Sequence, residues 1–227
     1  MKKFGLTNNQ LKLIAMITMT VDHIGMIFFP ENMLWRLIGR LAFPVYAFMI
    51  AEGCRHTRSM GRYLLTLGSL AVASQLVSGI VIRSLYMNVL VTFSFSVSLI
   101  LLLKKAREKK SPLSWIAFIV AVIGAYGVGE LLPRVWKGFS VEYGFLGMVL
   151  PVVVYAMPDL PRQLIGAGGC LALLSLDSWQ GQWFSLLALP LLALYNGQRG
   201  TWKLKWIFYF YYPVHLGLLW LLEMILS

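Results

Sequence analysis

LKLIAMITMTVDHIGMIFF, residues 11–29, carries Lys12 near its start, Asp22 and His23 deeper in, and no other ionisable side chain. A helix that crosses a bilayer needs about 20 mostly apolar residues, so this run has the length to span. The same kind of run recurs along the chain, bounded by charge, proline and glycine, near 34–53, 60–82, 87–103, 113–132, 144–157, 163–176, 183–196 and 204–226. Of the 227 residues 59% are hydrophobic and 13% charged, with a mean hydropathy of +0.73. A soluble domain carries about a quarter charged residues, so the expected fold is all-α: a polytopic transmembrane helical bundle of about nine spans, forming one domain over 1–227. The first run lacks a small-residue cleavage site and is followed by further spans, so it reads as a retained span in a chain that begins at Met1.

A formal net charge of +11 suggests nucleic acid only where the basic residues gather on one solvated surface. Here they fall between hydrophobic runs, which argues against a nucleic-acid partner and for membrane lipid. Lysine and arginine in short loops mark the cytoplasmic side. With the N-terminus inside, alternate connections hold fifteen of the twenty basic residues: Lys2, Lys3, Lys12, Arg55, Arg58, Arg62, Lys104, Lys105, Arg107, Lys109, Lys110, Arg162, Arg199, Lys203 and Lys205. The opposite side keeps Arg36, Arg40, Arg83, Arg134 and Lys137. The expected topology is therefore N-terminus cytoplasmic and C-terminus outside, with Lys104–Lys110 as a solvated loop. Cys54 and Cys170 show no metal-ligand spacing, so neither metal nor disulfide is expected. Gly166, Gly168 and Gly169 read as close helix contacts.

An ionisable group at the centre of a spanning helix costs roughly 2.5–3.5 kcal/mol on insertion scales, so Asp22, His23, Arg40 and His215 each call for a partner or a polar cavity, with Arg36 and Glu52 nearer span ends. At about 1.5 Å per residue, His23 and His215 both lie about 15–17 Å from the cytoplasmic face. Arg36 and Arg40, four apart, share a helical face and enter from the opposite side. Adjacent helical residues point about 100° apart, so Asp22 cannot orient His23 and is expected to pair with Arg36 or Arg40. Two readings fit: a structural Asp–Arg pair with a satisfied core histidine, or a site. For His215, a further reading is that it serves the carbonyl freed by Pro213.

Arg55, Arg58 and Arg62 fall three and four apart, so one helical face could carry a stripe suited to phosphate. Ordinary positive-inside anchoring, with Glu52 pairing to Arg55 or His56, fits equally. Tyr195-Asn196-Gly197-Gln198-Arg199-Gly200 reads either as a glycine-loosened ligand contact or as a turn.

Four segments then give the chain a resemblance. Leu13–Gly25, Trp35–Phe48 with Glu52-Gly53 behind it, Leu194–Gly200 and Lys205–Leu216 resemble the TraX family, integral membrane proteins named for the pilin acetyltransferase of conjugative plasmids. They occur in family order at both ends of the chain. Glu142-Tyr143-Gly144 is similar to a further element in which Asp precedes Tyr, and Asn88–Phe93 is a faint echo of another; from 84 to 138 the chain is otherwise only generically hydrophobic. The resemblance implies a multi-pass protein of the bacterial cytoplasmic (inner) membrane that transfers an acetyl group from cytoplasmic acetyl-CoA to an acceptor: a peptide amine, a sugar or a surface polymer.

Such chemistry removes a proton from the attacking amine or hydroxyl and stabilises an oxyanion. The expected roles are His23 as general base and Asp22 with Arg40 as the pair that fixes the site. Arg36 or Arg40 would be the oxyanion or acceptor donor, and His215 the second candidate base. An acetyl-histidine intermediate is an open variant. Arg55, Arg58, Arg62, Asn196 and Arg199 would take the CoA phosphates. Two other classes compete. A proton-coupled transporter or flippase would use the same buried charges, though no internal repeat is evident, and a noncatalytic assembly factor would not need His23.

Overall fold

Helix occupies each of the nine hydrophobic runs in a computed structural model that describes residues 4–82, 85–176, 178, 180–202 and 205–226. Lys2, Lys3, Arg83 and Lys203 of the charge tally lie outside the described residues. Four stretches are long and apolar enough to cross a membrane: Asn8–Phe28, Met33–His56, Val89–Lys109 and Pro112–Val135. Gly144–Ala156, Leu160–Leu176, Gly181–Ala193 and Phe210–Leu226 are shorter apolar helices. The only strands among the described residues, β1 (Leu85–Met87) and β2 (Phe139–Val141), form a three-residue parallel pair. Large apolar side chains such as Leu65, Ile123 and Ile165 are exposed, which suits contact with lipid. The chain is an all-α membrane protein.

Packing divides it into two compact units, 1–49 with 159–227 and 50–158. In the first, α1 (Asn8–Phe28) packs against α2 (Met33–Gly39) and α11 (Lys205–Leu226). There α9 (Leu160–Leu176) packs on a 3₁₀ segment, Gln180–Leu187, and on α10 (Ala188–Ala193). Thr7 caps α1 in a reciprocal capping box with Gln10. The next free amides of α1 are taken by the chain itself: Asn8 N donates to Gln198 O at 2.8 Å and Asn9 N to Arg199 O at 3.2 Å. The glycine-containing turn after α10 is thus a tie for the start of α1. Gly197 and Gly200 adopt positive φ there, which glycine tolerates without steric cost.

The single helix expected over 34–53 is broken. Its first part, α2, ends at Gly39, and α3 begins at Ala42 and runs to His56. Pro44 has no N–H to give to Arg40 O, and its ring crowds that carbonyl, so the ladder opens at Arg40–Leu41.

In the second unit, α5 (Val89–Lys109) packs against α4 (Met60–Ile82), α6 (Pro112–Tyr126) and α8 (Gly144–Ala156). Asn88 accepts from Leu90 N and Val91 N as the α5 cap. Ser96, fully buried, donates to Met148 O at 2.7 Å, a helix-to-helix bond of the kind that holds bundles in lipid. Lys104–Lys109, expected as loop, continues α5 to a left-handed stop at Lys110. Lys104 pairs with Glu108 at 3.8 Å, and the cations of the last turn complement the helix dipole.

Candidate active site

Asp22 and His23 point away from each other along α1, and each meets a different neighbour. Asp22 faces α2. Arg36 Nη1 donates to its Oδ2 at 2.9 Å, and Arg40 Nη2 lies 3.8 Å from Oδ1. Arg40 Nη1 also donates to Gln182 Oε1 at 3.2 Å, from the 3₁₀ segment. One carboxylate therefore balances two guanidinium groups, and the cluster carries a net positive charge. Arg36 is its open end, with 30% of its side chain exposed against 14% for Arg40. Only Nη1 of Arg36 is engaged among the described residues.

Two glycines make this approach possible. A Cβ on Gly39 would collide with the Asp22 carboxylate, and one on Gly25 would collide with Trp35 Cβ. Gly39→Ala gains about 1 kcal/mol of helix propensity but overpacks the carboxylate, at about 1–3 kcal/mol. A thermal melt of purified Gly39→Ala is expected to show net destabilisation, and a wild-type melt would remove the contact as a packing constraint.

His23 faces α11. Its Nδ1 lies 2.9 Å from Met19 O and 3.1 Å from His215 Nε2. His215 Nδ1 in turn lies 2.8 Å from Tyr211 O. One turn earlier, Thr20 Oγ1 bonds the Tyr211 hydroxyl. The pairs Thr20–Tyr211 and His23–His215 advance together, so α1 and α11 run parallel. A carbonyl can only accept, so each histidine carries its hydrogen on Nδ1. The His23 Nδ1–H is then shared between Met19 O and the lone pair of His215 Nε2. This leaves His23 Nε2 as a free lone pair, with no partner among the described residues, on a partly exposed residue. His215 is buried, its ring stacked on Tyr211 with centroids 4.8 Å apart and 11° between planes.

The structure thus brings together Asp22, Arg36 and Arg40, and separately His23 and His215, all within the first unit. His215 bonds Tyr211 O and not the Tyr209 carbonyl that Pro213 frees. Gln182, Thr20 and Tyr211 complete the arrangement, and sequence reasoning does not pick them out as site residues. Gln182 gives no signal, since a glutamine near a span end is ordinary. Tyr211 and Thr20 stand out only as parts of longer motifs.

The basic candidates are used differently. Arg55, expected to face phosphate, pairs with Glu52 and donates to the carbonyls of Val154, Tyr155 and Met157. Those carbonyls belong to the end of α8, where helical partners run out. The expected stripe does not form, because α3 ends at His56 and α4 starts at Met60. Arg58 stands in the intervening turn and Arg62 on α4, both exposed and without an acid partner among the described residues. The Asn196 amide donates to Gly5 O at 3.1 Å, and its oxygen accepts from Gln198 N at 2.9 Å. Arg199 is exposed.

The pattern of the family described as "TraX protein" matches residues 7–223, nearly the whole chain. The protein belongs to the TraX family. Among the relatives of this TraX-family chain is a "Probable fimbrial assembly protein FimC, serogroup H1" of Dichelobacter nodosus, 25% identical over 244 residues that cover 92% of this chain and 93% of that protein. An uncharacterized protein of Rickettsia prowazekii (strain Madrid E) is 52% identical over 44 residues, 18% of each chain. No solved structure matches.

Proposed function

We propose that this TraX-family protein is an integral acyltransferase of the bacterial cytoplasmic membrane. It moves an acetyl group from cytoplasmic acetyl-CoA to an acceptor amine or hydroxyl in or across the membrane. The observation that supports this reading is His23, held by Met19 O and His215 with its hydrogen on Nδ1, on the same helix as Asp22, which pairs with Arg36 and Arg40 on a different face. In this reading the residues take the following roles. His23 Nε2 takes the proton of the attacking amine or hydroxyl as the new bond forms at the thioester carbonyl. The unengaged N–H groups of Arg36 donate to the carbonyl oxygen as it becomes an oxyanion, which for one such donor is worth about 10²–10³ in rate. Asp22 holds Arg36 in position, and Arg40 holds Asp22. Membership of a family with a fimbrial-assembly relative agrees with a surface-fibre acceptor.

For the cofactor's phosphates, Arg58, Arg62 and Arg199 are separate candidates, each taken by itself, because their guanidinium groups stay exposed and without an acid partner among the described residues. Arg55 and Asn196 are committed to backbone groups and have less to offer. The test is equilibrium binding and hydrolysis of radiolabelled acetyl-CoA by the purified protein. Saturable binding is expected, weakened several-fold in Arg58→Ala, since each exposed charge contact is modest. Unchanged affinity in Arg58→Ala would return that residue to membrane anchoring, and no binding by wild type at millimolar ligand would favour a transporter.

A further inference from the structure

We propose that His23 and His215 work as one proton-relaying pair, in which His215 is a positioning residue that fixes the His23 tautomer and carries the positive charge while the acyl group moves. The inference rests on the acyltransferase reading above. Its basis is the chain of contacts from Met19 O through His23 and His215 to Tyr211 O, at 2.9, 3.1 and 2.8 Å. Each ring is pinned by the carbonyl four residues earlier on its own helix. The only nitrogens of the pair left without a hydrogen are His215 Nε2, which faces His23, and His23 Nε2, which has no partner among the described residues.

Proton transfer along this chain balances. The acceptor's proton goes to His23 Nε2 as the acceptor's lone pair attacks the thioester carbonyl. The His23 Nδ1 hydrogen then crosses to His215 Nε2. His23 becomes a neutral ring protonated on Nε2, and His215 a cation protonated on both nitrogens. When the C–S bond breaks, the CoA thiolate takes the hydrogen from His23 Nε2, and His215 returns its own to His23 Nδ1. Both rings end as they began, and the products are the acetylated acceptor and CoA thiol.

The surroundings of His215 suit the charge: its ring lies over Tyr211, with centroids 4.8 Å apart and 11° between planes, and an aromatic face within about 6 Å attracts a cation.

The full chain in lipid nanodiscs, with acetyl-CoA hydrolysis as the readout, tests this. His215→Gln offers a side-chain oxygen that accepts the His23 Nδ1–H and keeps the tautomer, but cannot take up the proton. Its turnover is expected to fall on the order of 10- to 100-fold, part of what a general base supplies, with acetyl-CoA affinity unchanged. In mixtures of light and heavy water, wild type is expected to give a bowed proton inventory for two moving protons, and His215→Gln a straight one. A merely structural histidine would leave that curvature alone. Wild-type turnover with a bowed inventory in His215→Gln would overturn the relay. Independently of activity, ¹⁵N spectra of the histidines, only three in the chain, are expected to show His23 and His215 protonated on Nδ1. His23 protonated on Nε2 in the resting protein would overturn the proposal. Nδ1 protonation of both without any acetyl-CoA turnover supports the pairing and removes the acyltransferase reading instead.

Discussion

His23→Ala is expected to lower acetyl-CoA turnover by about 10²–10⁴-fold, the range a positioned general base contributes, while leaving acetyl-CoA binding intact. The asymmetry follows from what each group does. His23 lies within α1, in its C-terminal half, whereas the exposed basic side chains suited to phosphate, Arg58, Arg62 and Arg199, lie outside the helix interiors or near their ends. The base acts on the proton of the nucleophile and contributes nothing to holding the nucleotide. Turnover and binding should therefore separate cleanly in a detergent-purified protein, measured as CoA thiol release and as radioligand retention. Full turnover in His23→Ala would remove the base assignment. Loss of binding along with turnover would recast His23 as part of the ligand pocket.

Asp22→Ala is expected to destabilise the protein by about 3–5 kcal/mol, the usual result of removing one partner from a buried ion cluster. The cost is not the value of the lost bonds. It arises because Arg36 and Arg40, both only partly exposed, lose the carboxylate that lies between them, and Arg40 keeps the neutral Gln182 oxygen. Replacing all three together, Asp22→Asn with Arg36→Gln and Arg40→Gln, removes the stranded charges and is expected to recover most of the stability while turnover stays low. Thermal unfolding of the purified variants reads the first effect and CoA release the second. An Asp22→Ala protein within about 0.5 kcal/mol of wild type would show that the pair is solvated and contributes little.

Part of the candidate site's geometry is legible in the amino-acid sequence. Asp22, His23, Arg36, Arg40 and His215 stand out because hydrocarbon tolerates no unpaired charge, and the four-residue spacing of Arg36 and Arg40 puts both on the face that meets Asp22. The 100° between adjacent residues separates Asp22 from His23, as the structure does. The phosphate stripe misleads, because spacings of three and four imply a shared face only while the helix continues, and Thr57–Ser59 interrupts it. Asn196 is a different case. Its glycine-flanked setting signals a special backbone, which here serves the unpaired amides at the start of α1 and leaves its side chain committed to Gly5 and Gln198.

Composition and hydropathy are enough to settle the solvent and the cast: an all-α chain in lipid, and the handful of polar side chains that must find partners there. Which partner each one finds is a matter of tertiary packing. Packing puts His215 Nε2 on His23 Nδ1, Gln182 under Arg40, the Asp22 carboxylate against Gly39, and Arg55 on the end of α8. Periodicity fixes which way a side chain leaves its own helix. It does not fix which helix lies opposite, because in lipid one apolar face packs against another with little preference, and the choice falls to small residues and a few polar contacts. Those contacts are long-range in the chain, 192 residues apart for the histidine pair, and no local pattern records them.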